Sequence, residues 1–339
     1  MSDVTIGVVN YNGMGVLPDT LKSIRALARP ISEVMVVDNG STDGSPQWIR
    51  QNYPEFRCIE LEKNIGLPGA QDLILREAQT DLVFTMDNDI SLEGDTIVKL
   101  VEVMKKVPNA AACHPELRDE SDPNVSHYNG GWIHYLCASV PRSVDTGPRP
   151  EYEVFDALSG AALLIDRNAA LRIGGFDGDY FFNWGDGDFT TRLTLAGYLC
   201  LNIPKAIAHH RGKFRKTSKV FNHTRNRWFF ILKLYSWQTI LFVFPMLIIF
   251  EISQAIFMIL KGTFKDYVRG NIAVVRMLPK TLKKRKEFMK IKIKKDKDWL
   301  RGGDIYISPN LLNSSLAVYM KKAYCGLFNM YWNIISRFC

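Results

Sequence analysis

The chain opens as an alternation of short apolar runs and amphipathic stretches. Val4 to Val9 is a continuous β-branched run closed by the turn Asn10-Tyr11-Asn12-Gly13, and a helical period follows from Pro18 to Ala28. Val34 to Val37 is a second run, stopped by Asp38-Asn39-Gly40-Ser41-Thr42-Asp43-Gly44-Ser45. Arg57 to Leu61 is a weaker third, the loop Asn64 to Gly69 leads into a helix ending near Ala78, and Leu82 to Met86 is a fourth. Strands and helices alternating at this spacing predict an α/β fold, a mostly parallel sheet flanked by helices, with a nucleotide-binding, Rossmann-like first half.

A helix from about Asp95 to Lys106 and a strand near Ala110 to Cys113 continue the pattern. His114 to Glu153 then loses periodicity while carrying Trp132 and Tyr135, and a loop of that length predicts irregular structure near a substrate. Ala157 to Ile165 restores a strand, whose small residues Ser159-Gly160-Ala161-Ala162 would admit a ligand close to the backbone. Gly185-Asp186-Gly187-Asp188 opens a helix to about Ala196, and Leu199 to Ala208 is strand-like, ending at His209-His210.

From Trp228 to Leu260 the pattern becomes almost wholly apolar, and the 22 residues from Thr239 to Leu260 are enough to cross a bilayer. Pro245, Glu251, Ser253 and Gln254 oppose a simple crossing, since an acid near the bilayer centre costs about 2.5–3.5 kcal/mol. In-plane or re-entrant helices, or a helical pair packed on the body, stand beside a single span. Lys280 to Lys297 adds a basic run with aliphatics interleaved. The predicted organisation is a catalytic domain over 1–220 and a mainly helical, basic, membrane-associating region over 221–339.

Charge sharpens this division. The total of +8 hides 16 Lys and Arg against 29 Asp and Glu in residues 1–204, and 27 against six in residues 205–339. A basic, aromatic tail on an acidic body predicts an anionic surface as partner; the apolar stretch beside it favours lipid over nucleic acid. The six cysteines show no C-x-x-C spacing and read as reduced thiols. Met1 to Val9 lacks a basic leader, so the expected location is the cytoplasmic face of the cell membrane, peripheral or with a single hydrophobic hairpin or span.

The candidate chemistry lies at strand ends. Asp87 and Asp89 emerge together from the fourth run, where open α/β sheets place ligands, and a divalent cation such as Mg2+ or Mn2+ would relieve their repulsion. A solvated turn capped by Asp89 is the alternative. Asp38 can accept from the imide N–H of uracil or thymine, or begin an Asx turn. Asp186, at a helix start, is kept ionised and able to accept a proton, or is an ordinary N-cap. A neutral imidazole from His209 or His210 would complete a metal shell begun by Asp89, or serve structure.

Val36-Val37-Asp38-Asn39-Gly40-Ser41-Thr42-Asp43-Gly44-Ser45, Asn64-Ile65-Gly66, Met86-Asp87-Asn88-Asp89, and Gly174-Gly175-Phe176-Asp177 with Asp186-Gly187-Asp188 and Arg192 together resemble the family 2 inverting glycosyltransferases of the GT-A fold. The resemblance runs to about His223. It implies that Asp38 holds the base of a nucleotide-diphosphate sugar of UDP or dTDP type, with Asn10, Tyr11 and Asn12 alongside and Asn64 and Gly66 in the donor loop. It places Asp87 towards ribose and sugar, Asp89 and His209 on the metal, with His210 the other choice, and Asp186 as general base. Trp132, Trp184 and Asp188 are candidate acceptor contacts. Two positions depart from the family pattern: Gly185 stands where a glutamate is usual, and Gln71-Asp72 where the donor loop usually ends in an asparagine. The tail resembles, more loosely, those of bacterial enzymes that extend lipid-linked polysaccharides, rhamnosyltransferases among them. The implied activity is metal-dependent inverting transfer of a sugar to a lipid-linked or cell-surface glycan precursor. A catalytically weak sugar-nucleotide-binding or scaffold protein is the alternative that Gly185 raises.

Overall fold

In a computed structural model, residues 3–28, 31–122, 124–127, 129–141, 149–212, 220–305 and 315–339 are described. The chain divides into two compact units, Met1–Gly130 with Asp145–Lys216, and Gly131–Val144 with Thr217–Cys339. Of the aperiodic stretch 114–153, positions 123, 128 and 142–148 lie outside the described residues.

The first unit carries, in chain order, β1 (Val4–Asn10), α1 (Leu17–Arg25), β2 (Glu33–Asp38), α2 (Ser45–Asn52), β3 (Arg57–Glu60), α3 (Leu67–Glu77), β4 (Leu82–Asp87), β5 (Ile90–Leu92), α4 (Thr96–Lys106) and β6 (Ala110–Asp119). After β7 (Gly130–His134) and β8 (Ala138–Pro141), it resumes with β9 (Glu153–Phe155), β10 (Ala157–Leu158), β11 (Ala162–Asp166), α5 (Arg167–Arg172), α6 (Gly185–Leu195) and β12 (Leu199–His210). Among the described residues nine of these strands form one sheet in the order β3-β2-β1-β4-β11-β6-β12-β5, with β9 also on β12. The four strands read from periodicity are the parallel half, β3-β2-β1-β4. The other half is mixed: β11 runs antiparallel to β4 and β6, whereas β12 runs parallel to β6. Every residue of β1 is buried, as expected of a central strand covered on both faces. Gly7 in its middle admits α3, since a Cβ there would lie 2.2 Å from Ile74.

The second unit contains most of β7 with β8, then α7 (Val220–Leu234), α8 (Trp237–Leu260), α9 (Phe264–Phe288), β13 (Leu300–Arg301) and α10 (Ser315–Ile335). Strand β7 pairs antiparallel with β8 and parallel with β13. The long apolar stretch is not one helix: it breaks at Tyr235-Ser236, where the Ser236 hydroxyl caps α8 by accepting from Thr239 N–H at 3.0 Å. Glu251, within that apolar helix, forms an ion pair with buried Arg227 of α7 and accepts from the Tyr267 hydroxyl of α9. Arg227 also donates to the Leu136 carbonyl at 2.8 Å, and its guanidinium lies 4.9 Å from the Phe250 ring centroid. The basic run is likewise not uniformly solvated. Lys292 and Asp296 form a buried ion pair, and Arg285 donates to the Leu232 carbonyl at 2.8 Å.

Truncating one member of a buried pair leaves the other charge uncompensated. Arg227→Met is therefore expected to lower the stability of the second unit by about 3–5 kcal/mol, and R227M/E251L to recover most of the loss. Urea unfolding of the full chain, followed by tryptophan fluorescence, measures both.

Candidate active site

The carboxyl edge of the parallel half-sheet gathers the candidate residues by register. Asn10 of β1 stands opposite Asp38 of β2, and Val9 stands opposite Asp87 of β4, so both aspartates leave the sheet at one edge, two strands apart. On the other side of β4, Ala162 of β11 pairs with Met86, and Asp87 N–H donates to the Ala161 carbonyl at 2.9 Å. Gly160, one residue further, donates its N–H to Asp186 Oδ2 at 3.0 Å. Three carboxylates far apart in sequence are thereby indexed to one strand.

Asn10 is fully buried and works inside this edge. Its Nδ2 donates to Asp38 Oδ1 at 2.7 Å and to Ser45 Oγ at 2.8 Å, and its Oδ1 accepts from Asn88 Nδ2 at 2.7 Å. The amide thus joins Asp38 to the middle residue of Asp87-Asn88-Asp89. Gly13 makes room for the junction, because a Cβ there would sit 2.0 Å from Asn88 Nδ2 and 2.3 Å from Asn10 Oδ1. The other oxygen of Asp38, Oδ2, accepts from Ser41 N–H at 2.9 Å, so the Asx turn is present as well. Tyr11 is exposed beside it, while Asn12 braces the facing loop, with its N–H on Ser41 Oγ at 2.8 Å and its Oδ1 accepting from Thr42 N–H at 2.9 Å.

Asn64 and Gly66 are held by a residue that the sequence did not single out. Asn39, buried, accepts from Ile65 N–H at 2.9 Å and donates to the Gly66 carbonyl and to Asn64 Oδ1, each at 3.2 Å. Its place directly after Asp38 was the available signal. Gly66 takes φ 83°, and a Cβ on it would meet the Phe181 carbonyl at 2.5 Å.

The histidine expected beside Asp89 is His210, not His209. Strand β5 pairs antiparallel with β12, with His210 opposite Ile90 and His209 opposite Ser91. Successive side chains on a strand face opposite ways. His210 Nε2 lies 3.4 Å from Asp89 Oδ1, whereas His209 Nε2 lies 3.2 Å from Glu93 Oε1. Burial opposes charging of His210, but its hydrogen bond to Asp89 and the charges of Asp89, Asp87 and Asp119 outweigh that and raise its pKa. His127, packed edge-on to His210 at 4.9 Å between ring centroids, has its pKa lowered by burial and by His210. Among the described residues no three His, Cys, Asp or Glu side chains are poised together as a complete metal shell. The donor set nevertheless suits Mg2+ or Mn2+: hard carboxylate oxygens and an imidazole in a field that already raises a proton's affinity, with ligand phosphates available to complete coordination.

Asp186 sits in the first turn of α6. Its Oδ1 accepts from Gly187 N–H at 2.9 Å, and burial outweighs its backbone hydrogen bonds to raise its pKa. Gly160 must lack a side chain, since a Cβ would lie 2.6 Å from Asp186 Cβ. The small stretch at 159–162 therefore admits the Asp186 side chain. The segment leading into α6 is strained, with Phe181, Asn183 and Trp184 at φ 58°, 62° and 64°.

Asp188 is not an acceptor contact. It is fully buried, accepting from the Tyr180 hydroxyl at 2.9 Å and from Arg192 Nε at 2.8 Å, while Arg192 also donates to the carbonyls of Ile173 and Gly175. These bonds lock the turn that carries Asp186. Trp184 is the partly buried N-cap residue of α6. Trp132 lies in β7, in the second unit, with the Arg301 guanidinium 4.7 Å from its ring centroid.

Comparison with known proteins adds relatives to this geometry. The profile of the family described as Glycosyl transferase family 2 matches residues 5–159. An N-acetylglucosaminyl-diphospho-decaprenol L-rhamnosyltransferase of Mycobacterium tuberculosis is 31% identical over 214 residues, covering 55% of this chain and 68% of that one. Among solved structures, GalNAc-T7 with UDP, GalNAc and Mn2+ aligns at a TM-score of 0.58 and 14% identity, over 70% of this chain and 49% of that one. The mannosyltransferase PcManGT of Pyrobaculum calidifontis, with GDP-Man and Mn2+, aligns at 0.51 and 19% identity, over 99% and 87%. At those identities the two structures bear on the fold alone.

Asn88→Ala would leave Asn10 Oδ1 buried without its donor, a cost of about 1–3 kcal/mol. We expect it to weaken binding of uridine or thymidine diphosphate about tenfold. Titration calorimetry against the parent chain checks this.

Proposed function

The chain belongs to glycosyltransferase family 2, and from that premise we propose that it moves one sugar, with inversion, from a UDP- or dTDP-linked donor to a hydroxyl of a lipid-linked saccharide. The observation that carries the reading is the shared register of Asp38, Asp87 and Asp186 about β4. The acceptor class is drawn from the rhamnosyltransferase relative, which is named for a diphospho-decaprenol substrate. The work is assigned to the cytoplasmic face of the membrane.

In this reading Asp38 accepts from the imide N–H of the base, and Asp87 faces ribose and sugar. A divalent cation, Mg2+ or Mn2+, held by Asp89 and His210, would neutralise charge developing on the departing diphosphate. Asp186 accepts the proton of the acceptor hydroxyl as that oxygen attacks the anomeric carbon. The bond from that carbon to the diphosphate oxygen breaks on the opposite face, so the anomeric centre inverts. The raised pKa of Asp186 suits a base, because it increases the proton affinity of the carboxylate. The backbone donors Gly160 and Gly187 on the Asp186 carboxylate support the catalytic reading over the scaffold that Gly185 raises.

Incubation with a polyprenyl-diphosphate saccharide and a panel of sugar nucleotides, with and without Mn2+, tests the reaction. Asp186→Asn should lower turnover about a thousandfold while donor binding persists; full turnover by that variant defeats the assignment. The base must be ionised, so the rate is expected to be lost as pH falls, through an apparent pKa above the ordinary aspartate value of about 3.9. His210→Ala should weaken the Mn2+-dependent part of donor binding by more than about tenfold, and His209→Ala should change it little, as thermal shift would read.

A further inference from the structure

We infer that the solvent-facing side of α8, continued by α9, is a platform that lies flat in the headgroup layer of an anionic bilayer, so that Trp237–Leu260 rests in the membrane surface and does not cross it. By length and composition α8 is able to cross. Its surroundings decide otherwise. One side is fastened along most of its length: Thr239, Val243, Met246, Leu247 and Phe250 are buried, Glu251 is paired with Arg227 and Tyr267, and the Ser253 and Tyr324 hydroxyls are 2.6 Å apart. The Tyr331 hydroxyl of α10 donates to the Phe242 carbonyl at 2.7 Å. Withdrawing α8 as a lone span would carry Glu251 into hydrocarbon without its partners. Taking the bundle across together would carry Arg227 and Lys233 of α7 and Arg269 and Arg276 of α9 with it.

The other side of α8 is an unbroken apolar stripe. Leu241, Phe244, Ile248, Ile252, Ile256 and Leu260 recur every three or four residues and are exposed, from 43% at Ile248 to 79% at Leu260. Beyond the turn, Phe264, Val268, Ile272 and Val275 form an exposed stripe on α9. Soluble monomers seldom expose an apolar surface of this extent. Charge complementarity selects the occupant. Lys261, Lys265 and Arg269 are exposed around the α8–α9 turn, in a region, 205–339, holding 27 Lys and Arg against six acids. An apolar stripe edged by cations on a helix that keeps a fastened inner face is the arrangement of an in-plane helix attracted to anionic lipid.

The inference deepens the membrane-side reading of the proposed function, and its test is separable from the catalytic one. The full chain is floated with vesicles of phosphatidylcholine alone or with about one third phosphatidylglycerol. We expect binding to the anionic vesicles, and I248D/I252D/I256D, which alters only exposed positions, to reduce it at least about tenfold. Release of nucleoside diphosphate from the donor should be unchanged in that variant. In Gln238→Cys and Lys261→Cys, both introduced thiols should react with an impermeant maleimide added outside intact vesicles, relative to the parent's background. Protection of one of them shows a span and overturns the inference. Undiminished binding of the triple aspartate variant, or binding to RNA with none to vesicles, overturns it equally. Absence of donor turnover in the parent chain defeats the proposed function instead and leaves the vesicle result to be read by itself.

Discussion

Strand β4 is clamped on both sides, parallel to β1 and antiparallel to β11, and the carboxylates of the edge take their positions from that clamp. A slip of one residue would turn Asp87 to the opposite face and uncouple it from Asp38 and Asp186 together. Few native features resist such a slip better than buried polar groups that must find partners. Asn10 is the chief one. Its donor end is committed to Asp38 and Ser45 and its acceptor end to Asn88, so any other alignment strands a buried amide. Neutral donors, the Asn10 amide and the Ser41 N–H, thus hold Asp38 in this edge.

What could be read from the sequence follows from the range of the interactions involved. Runs of β-branched residues and the turns that end them are local, and they located β1, β2 and β4, Asp38 and the aspartates of the Asp87-Asn88-Asp89 turn. The antiparallel insertion of β11 was not legible, because strand direction depends on connections rather than on hydrophobic period. Choosing between His209 and His210 required the β5–β12 register, which adjacent identical residues cannot reveal. Asp188 misled for a related reason: its spacing from Asp186 is suggestive, but its fate is set by Arg192 one helical turn later and by Tyr180 before it. Glu251 counted as a charge inside an apolar stretch, yet its partner is 24 residues upstream on α7.

The two units use charge differently. In the first, Asp38 and Asp186 are held by amide or backbone N–H donors, whereas Arg149 bridges Glu116 and Glu153 and Arg192 holds Asp188. In the second, buried cations donate to helix-end carbonyls or meet single acids, as Arg285 and Lys292 do near the break between α7 and α8. An acidic sheet-edge site in the first unit and a basic, apolar helical region in the second are what the uneven charge along the chain amounts to physically.

The two departures from the family pattern, Gly185 and Gln71-Asp72, meet on one helix. A Cβ on Gly185 would lie 2.2 Å from Pro68 Cγ, so the ring of Pro68 fills the place where a longer side chain at 185 would begin. Three residues along α3, Gln71 donates to the Gly160 carbonyl at 2.9 Å, while Gly160 donates its own N–H to Asp186. Asp72 accepts from Phe176 N–H at 3.0 Å, at the start of the segment that leads to Asp186, and Leu67 N–H donates to the Phe181 carbonyl at 2.9 Å in the middle of it. Helix α3 therefore grips both the strained turn before Asp186 and the glycine behind it. A side chain at 185 and a proline at 68 exclude each other sterically, so a change at either position has to be judged as a change to the pair. The Pro68 ring of the backing helix occupies the space beside Gly185, and Asp186 is held from behind by Gln71 through Gly160.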